Sequence, residues 1–158
     1  MRTIIRKRMK FQEAVDLSGG TLKVISQKTF KDEEFEKFHI ENLYFKDCTF
    51  VNCTFTGCNF HEVDVTDSNF ENCSIEVMGR YVGFTRVDFY DCSLALRLDT
   101  SEISETSFTR TSFEKFELTS SNVKNTQLYQ EGGEQVRLIQ CSMENSSLYI
   151  ELPEEVLP

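Results

Sequence analysis

The sequence predicts an all-β solenoid, and three observations predict it. Large apolar residues recur every five positions, at Phe45, Phe50, Phe55, Phe60, Val65, Phe70 and Ile75. Two positions before each centre from Phe50 onward stands a small or β-branched residue: Cys48, Cys53, Cys58, Val63, Ser68 and Cys73. Directly before each stands a polar one: Thr49, Thr54, Asn59, Asp64, Asn69 and Ser74. A period of five fits neither the helix nor the simple strand. Each unit must therefore make one short side and a turn, with the central residue and the small one facing inward and the other three facing water. Pairs such as Thr56-Gly57, Thr66-Asp67 and Glu71-Asn72 suit the turn, because Gly, Asn and Asp tolerate unusual φ. No such unit buries its own apolar residue, so stability must come from stacking coil on coil.

Residues 1–27 lack the pattern and read as a small non-repeat N-terminal cap. Within it Lys10 to Leu17 is expected as a short amphipathic helix ended by Ser18-Gly19-Gly20, and Leu22 to Ile25 as a strand. Residues 28–150 carry the repeat. Backward from Phe45 the register reaches Ile40, Phe35 and Phe30. Forward it breaks near Gly79, resumes at Phe84, Phe89 and Leu94, and slips by one near Leu96. It then runs from Leu98 through Ile103, Phe108, Phe113, Leu118, Val123 and Leu128, fails at Gly133, and ends at Leu138, Met143 and Leu148. Two interruptions, Gly79-Arg80-Tyr81-Val82-Gly83 and Glu131-Gly132-Gly133-Glu134-Gln135, leave room for projecting loops at Arg80 and Tyr81 and at Glu131 and Glu134. The alternative at each is a small bulge that relieves strain in the coil. Residues 151–158 read as a C-terminal tail, with Tyr149, Ile150 and Leu152 covering the last coil. An uncovered end would invite end-to-end pairing, so a homodimer is expected to form through an end of the rod.

The pentads Cys48-Thr49-Phe50-Val51-Asn52, Cys53-Thr54-Phe55-Thr56-Gly57, Cys58-Asn59-Phe60-His61-Glu62 and Ser68-Asn69-Phe70-Glu71-Asn72 resemble the pentapeptide-repeat family, whose pattern is a small residue, Asp or Asn, Leu or Phe, and two variable positions. The resemblance implies a right-handed quadrilateral β-helix with four pentads to a coil. Residues 20 apart then become vertical neighbours: Cys53 over Cys73, Asn52 over Asn72, Asp47 over Asp67. With the two slips taken as one-residue deletions, Arg86 falls beneath Asp67 and offers it a counter-charge.

The net charge is −9, although the first ten residues carry Arg2, Arg6, Lys7, Arg8 and Lys10 and no acid. From Asp47 through Met78 there are Asp47, Glu62, Asp64, Asp67, Glu71 and Glu76 and no Lys or Arg, which predicts an acidic stripe that repels nucleic acid. Net charge also serves plain solubility. The cysteines all occupy the small inward site and read as buried, reduced, Ala-like fillers, without the paired spacing of a zinc site. Cys53 and Cys73 are the pair that the repeat stacks directly, and in a reducing cytosol they are expected to stay thiols. His39 and His61 face outward beside no nucleophile, and neither Gly19-Gly20 nor Gly132-Gly133 is followed by the Lys-Ser/Thr of a phosphate loop. A narrow core leaves no room for a deep pocket, and no apolar stretch is long enough for a membrane span. The expectation is a cytoplasmic non-enzyme without cofactor or metal that binds neither nucleic acid nor membrane. Quinolone-resistance members of the family mimic duplex DNA in the DNA-gripping groove of gyrase. Resemblance to them implies a protein partner, DNA gyrase or another DNA-binding enzyme, and hence a gyrase inhibitor. The chain departs from them in lacking a long C-terminal helix. The alternative is a protein–protein adaptor or a bacterial or phage structural module.

Overall fold

In the five-residue units an extended triplet is followed by a tight corner, and the chemistry of the corner is visible in the backbone. The computed structural model describes residues 23–131 and 136–151, and among them every regular element is a β-strand. Corner residues sit in the left-handed region: Asp47 (φ 55°), Asn52 (53°), Gly57 (60°), Asp67 (52°) and Asn72 (53°), the turn positions expected from their side chains. Tyr81 (59°), Arg86 (53°) and Thr100 (51°) adopt the same φ without that aptitude. A β-branched residue there is strained, so the coil imposes the corner on the sequence.

All strand pairing is parallel, each strand bonding to its counterpart one coil on. On the first face β1 (Lys23–Ser26) pairs with the second half of β4 (His39–Lys46), which pairs with β6 (Thr54–Thr66), so that Ile25, Phe45 and Val65 stack. The column continues through Phe84 in β8 (Ser74–Thr85), Ile103 in β11 (Glu102–Ser104), Val123 in β14 (Asn122–Lys124) and Met143 in β17 (Ser142–Glu144). The second face is a sheet of β2 (Thr29–Lys31), β5 (Thr49–Val51), β7 (Asn69–Glu71), β9 (Asp88–Tyr90) and β12 (Ser107–Thr109). Its centres are all rings. Phe30, Phe50, Phe70, Phe89 and Phe108 stack at 5.1, 4.6, 5.0 and 5.1 Å with interplanar angles of 17°, 4°, 11° and 2°. β15 (Gln127–Glu131) and β18 (Ser147–Glu151) pair beyond them. The third face holds β3 (Glu34–Glu36) and the first halves of β6, β8, β10 (Ser93–Asp99) and β13 (Ser112–Thr119). The fourth holds the first half of β4, the later parts of β6, β8, β10 and β13, and β16 (Val136–Ile139). Four faces per coil is the quadrilateral solenoid expected.

The expected strand at Leu22 to Ile25 is observed as β1, already in coil register with Ile25 buried. The expected helix at Lys10 to Leu17 lies outside the described residues, as does the expected tail 151–158 except for Glu151, which ends β18. Tyr149, expected to cover the last coil, instead lies in β18 in register with Tyr129 and is exposed. Both one-residue deletions are present where expected, near Gly79 and Leu96, and both fall in the same corner of successive coils, at Glu76 and at Ala95. Phe55 pairs with Ile75 and Cys58 with Val77, so β8 has the single residue Glu76 where β6 has Thr56-Gly57. Ala95 repeats the shortening one coil on, and the full corner returns with Glu114-Lys115 in β13. The lost corner has a cost. Corner N–H groups such as Lys37 N, to Thr56 O at 2.8 Å, and Asn52 N, to Glu71 O at 3.0 Å, donate to a carbonyl of the next coil, whereas Gly57 N donates to the Glu76 side chain at 2.8 Å.

The small inward site holds apolar filler at Val63 and Val87 and polar hydrogen-bonding groups at its serines. Ser68 Oγ accepts from Cys48 N (3.0 Å) and donates to Thr66 O (2.9 Å), and Ser121 does the same for Ser101 N (3.0 Å) and Thr119 O (2.8 Å). Cysteines at this site lie within reach of two carbonyls each, as Cys48 Sγ does of Ile25 O (3.3 Å) and Lys46 O (3.5 Å). An Ala at Ser68 or Ser121 would take the acceptor from the Cys48 or Ser101 N–H, whereas Lys46 O, Thr66 O and Thr119 O also accept from Gln27, Asp47 and Thr100 N–H groups. Five of the six cysteines are buried as expected; Cys141, nearer the end of the coil, is half-exposed.

Candidate functional site: the charged faces of the coil

A four-sided coil turns a run of sequence into a belt, and the six acids picked out by sequence are distributed accordingly. Asp64 projects from the first face, Asp47 and Asp67 from its corner with the second, and Glu62 from its corner with the fourth. Glu71 lies on the second face and Glu76 at the corner of the third and fourth. They are not one stripe, and two are engaged within the coil. Glu76 accepts the Gly57 N–H. Asp67 meets Arg86 at 2.6 Å, the counter-charge that the coil repeat places there, and Arg86 also approaches Glu105 at 4.0 Å. The guanidinium holds the Asp67 carboxyl below its ordinary value. Glu62 lies 3.7 Å from His61. Asp47 stacks on the Asp67 position through its N–H to Thr66 O (3.1 Å).

The first face with its two corners is nonetheless the acidic part of the coil, because Glu102, Glu105 and Glu144 extend it past the stretch that sequence order emphasised. Its cations among the described residues are Lys23, Lys46, Arg86 and Lys124, the last 3.5 Å from Glu102. Glu102 and Glu105 were missed for a simple reason. Reading along the chain groups residues by coil, and grouping by face needs the vertical register.

Asp64 and Glu102 stand on either side of Gly83, which has no side chain to separate them. Burial first, then the Glu102 charge, raises the Asp64 carboxyl above its ordinary value. A raised carboxyl binds its proton more tightly folded than unfolded, so Asp64 opposes folding once pH exceeds the raised value. Asp64→Asn is therefore expected to raise the melting midpoint at pH 7. The gain should vanish as pH falls below the ordinary aspartate range. Paired melts at neutral and acid pH check it.

The fourth face differs in chemistry. It carries Arg80, Arg97, Arg137, His39 and His61 against Glu41, Asp99 and Glu117, in a lattice of contacts: Arg80–Asp99 3.7 Å, Arg97–Glu117 3.7 Å, Arg137–Glu117 3.5 Å and His39–Glu41 2.7 Å. An open depression of about 650 Å³ runs over it, floored by Phe60, Gly79 and Leu98. Met78 is 51% and Tyr81 44% exposed beside it, His61 packing edge-on to the Tyr81 ring at 5.6 Å and Arg80 lying over it at 5.1 Å. The loop expected at Arg80 and Tyr81 does not exist. Both lie inside β8, Arg80 in register with His61, because the register break is the missing corner residue at Glu76 and not an insertion. Of the second expected loop, Glu131 ends β15 and Glu134 lies outside the described residues.

Among the described residues no group of three or more His, Cys, Asp or Glu is placed to hold a metal ion, and no helix is long and apolar enough to cross a membrane.

Residues 41–76 match the family model described as Pentapeptide repeats, in 8 copies. No curated protein matches the chain. Among solved structures, a trypsin-treated variant of QnrB1, a plasmid-mediated fluoroquinolone resistance protein, is 15% identical with a TM-score of 0.36, over 84% of this chain and 93% of that one. HetL, a pentapeptide repeat protein involved in heterocyst differentiation regulation from the cyanobacterium Nostoc, is 8% identical with a TM-score of 0.28, over 89% and 95%. Both TM-scores are low, so neither neighbour says what this chain binds.

Proposed function

This chain belongs to the pentapeptide-repeat family, and from that premise we propose that it is a non-enzymatic binding rod whose acidic first face occupies a basic groove on a protein partner, as a mimic of duplex DNA in a gyrase or another DNA-binding enzyme. The observation that supports this reading is the excess of carboxylates over cations on that face and its corners, held on a backbone bonded from coil to coil. Rigid presentation matters because an exposed charge is worth little alone and acts through the summed field. The wild-type protein is expected to inhibit supercoiling by gyrase, or another DNA-binding enzyme, at low salt and to lose that effect steeply as salt rises. Reversing Asp47, Asp64 and Glu105 together to Lys is expected to weaken inhibition at least about tenfold through lost steering, with little change in the melt. Lys37 already occupies an equivalent corner at φ 56°. Enzymes untouched by the wild-type protein at low salt would rule the mimic out.

A second reading is favoured by the fourth face. Met78, Arg80 and Tyr81 are residue types enriched at interface centres, and the ion-pair lattice beside them suits a partner of mixed charge. An adaptor working through this face would bind independently of the triple reversal and with a shallower dependence on salt than a mimic, and would lose its partner on Tyr81→Ala.

A further inference from the structure

The stacking register and the inward cysteines meet at the corner between the second and third faces. Cys53, Cys73 and Cys92 each precede residues paired in register, Thr54 with Ser74 and Ser74 with Ser93. Ser74 N donates to Cys53 O (3.1 Å) and Ser93 N to Cys73 O (2.9 Å). The three are successive rungs of one column, about 4.8 Å apart, within the roughly 4.4–6.8 Å that separates the Cα atoms of a disulfide. Their sulfurs are held alike. Cys53 Sγ reaches Phe30 O (3.3 Å) and Val51 O (3.4 Å), Cys73 Sγ reaches Phe50 O and Glu71 O (both 3.4 Å), and Cys92 Sγ reaches Phe70 O (3.3 Å) and Tyr90 O (3.4 Å). Three parallel thiols therefore lie one above another. The 20-residue reading found only the first two, because the coil shortened at Glu76 brings Cys92 into line after 19. The other cysteines have no such neighbour: Ser68 follows Cys48 in its column, Val77 follows Cys58, and Ser121 precedes Cys141.

The geometry points to a modification site in this column: a two-electron oxidant of the peroxide class joins Cys73 to Cys53 or to Cys92 in a disulfide between adjacent coils. A thiolate attacks one peroxide oxygen, the O–O bond breaks, and water leaves behind a sulfenic acid. The neighbouring sulfur then attacks the sulfenic sulfur, the S–O bond breaks, and a second water leaves. Two thiols lose two electrons and two protons, and the peroxide is reduced to two waters. Cys73 can bond in only one direction, so one thiol of the three always remains. The Cys73 side chain lowers the thiols of Cys53 and Cys92, while those neighbours and burial push the Cys73 thiol up. An open depression of about 480 Å³ lies over this corner, lined by the three cysteines, Asn72 and Arg110 among others. The thiols themselves are only 1–4% exposed, so opening of the corner limits the rate.

The test uses full-length protein in a Cys141→Ser background, which removes the one half-exposed thiol. After hydrogen peroxide, quenching and denaturation, free thiols are expected to fall from five to three and to return to five with dithiothreitol. Unreduced peptide maps should join Cys73 to Cys53 or to Cys92. Adding Cys73→Ser, the residue type that Ser68 places at the same site, should hold the count at four before and after. If that variant fails to fold, Cys53→Ser with Cys92→Ser serves instead, with three thiols before and after. An unchanged count in the parent, an equal loss in either variant, or a bond that includes Cys48, Cys58 or a second molecule would overturn the assignment.

Discussion

Phe50→Ala is expected to lower stability by about 3–5 kcal/mol, and Phe50→Asp to leave the protein unfolded at 25 °C. Phe50 is 1% exposed and lies between Phe30 and Phe70 in the ring column, with Phe35, Phe45 and Phe55 set edge-on around it at 6.5, 5.5 and 5.7 Å. Truncation opens a cavity that the column cannot close, because each neighbouring ring is fixed by its own coil. The aspartate adds a buried charge with no partner. Val51, the next residue, faces outward on the same strand and is half-buried, so Val51→Asp is the control. Circular dichroism melts should separate the pair widely. Equal melts would mean that the column of rings does not hold the coil.

Gly79→Val is expected to cost more than Gly79→Ala, itself about 1–3 kcal/mol through overpacking. Gly79 stands at a central position of the fourth face, where the column passes from Phe60 to Leu98. A Cβ added there would lie 2.6 Å from Val82 Cγ2, 3.1 Å from Leu98 Cδ2 and 3.3 Å from the Phe60 carbonyl, all in the packed wall. At Gly83 the atom in the way is the carboxylate end of Asp64, a side chain that can swing toward water. Gly83→Ala should therefore be far milder, and denaturant midpoints of the two alanine variants should differ in that order.

The contrast between these glycines also shows what the sequence conceals. The five-residue rhythm, the inward pairs such as Cys53 and Phe55, the turn residues and the Asp67–Arg86 pair were all legible, because each follows from local chemistry and one repeat length. The missing corner at Glu76 was not. Gly79 carries no side chain to mark its pentad, so the sequence places the break only near it, and expects a loop where β8 runs on unbroken. The acidic surface was legible as composition and misleading as a place. Charge read along the chain gave a stripe, and the coil wound it into a belt with Glu71 and Glu76 on other sides. The polar duty of Ser68, Ser121 and the cysteines was hidden for a related reason. Each serves a backbone group about twenty positions away, and nothing local marks that partner.

Because every described strand bonds to a strand one coil away, the loop closed by each pairing is nearly constant along the described residues. Excising residues 47–66 would join Lys46 directly to Asp67, which follows the same face as Asp47 does, and the amide that Thr66 O receives from Asp47 would have its counterpart in the Asp67 N–H to Thr85 O bond at 3.0 Å. Rod length is thus separable from foldability: whole coils can be gained or lost without recutting the core. Evolution can then set the length of the charged surface by insertion and deletion, independently of the substitutions that set its charge.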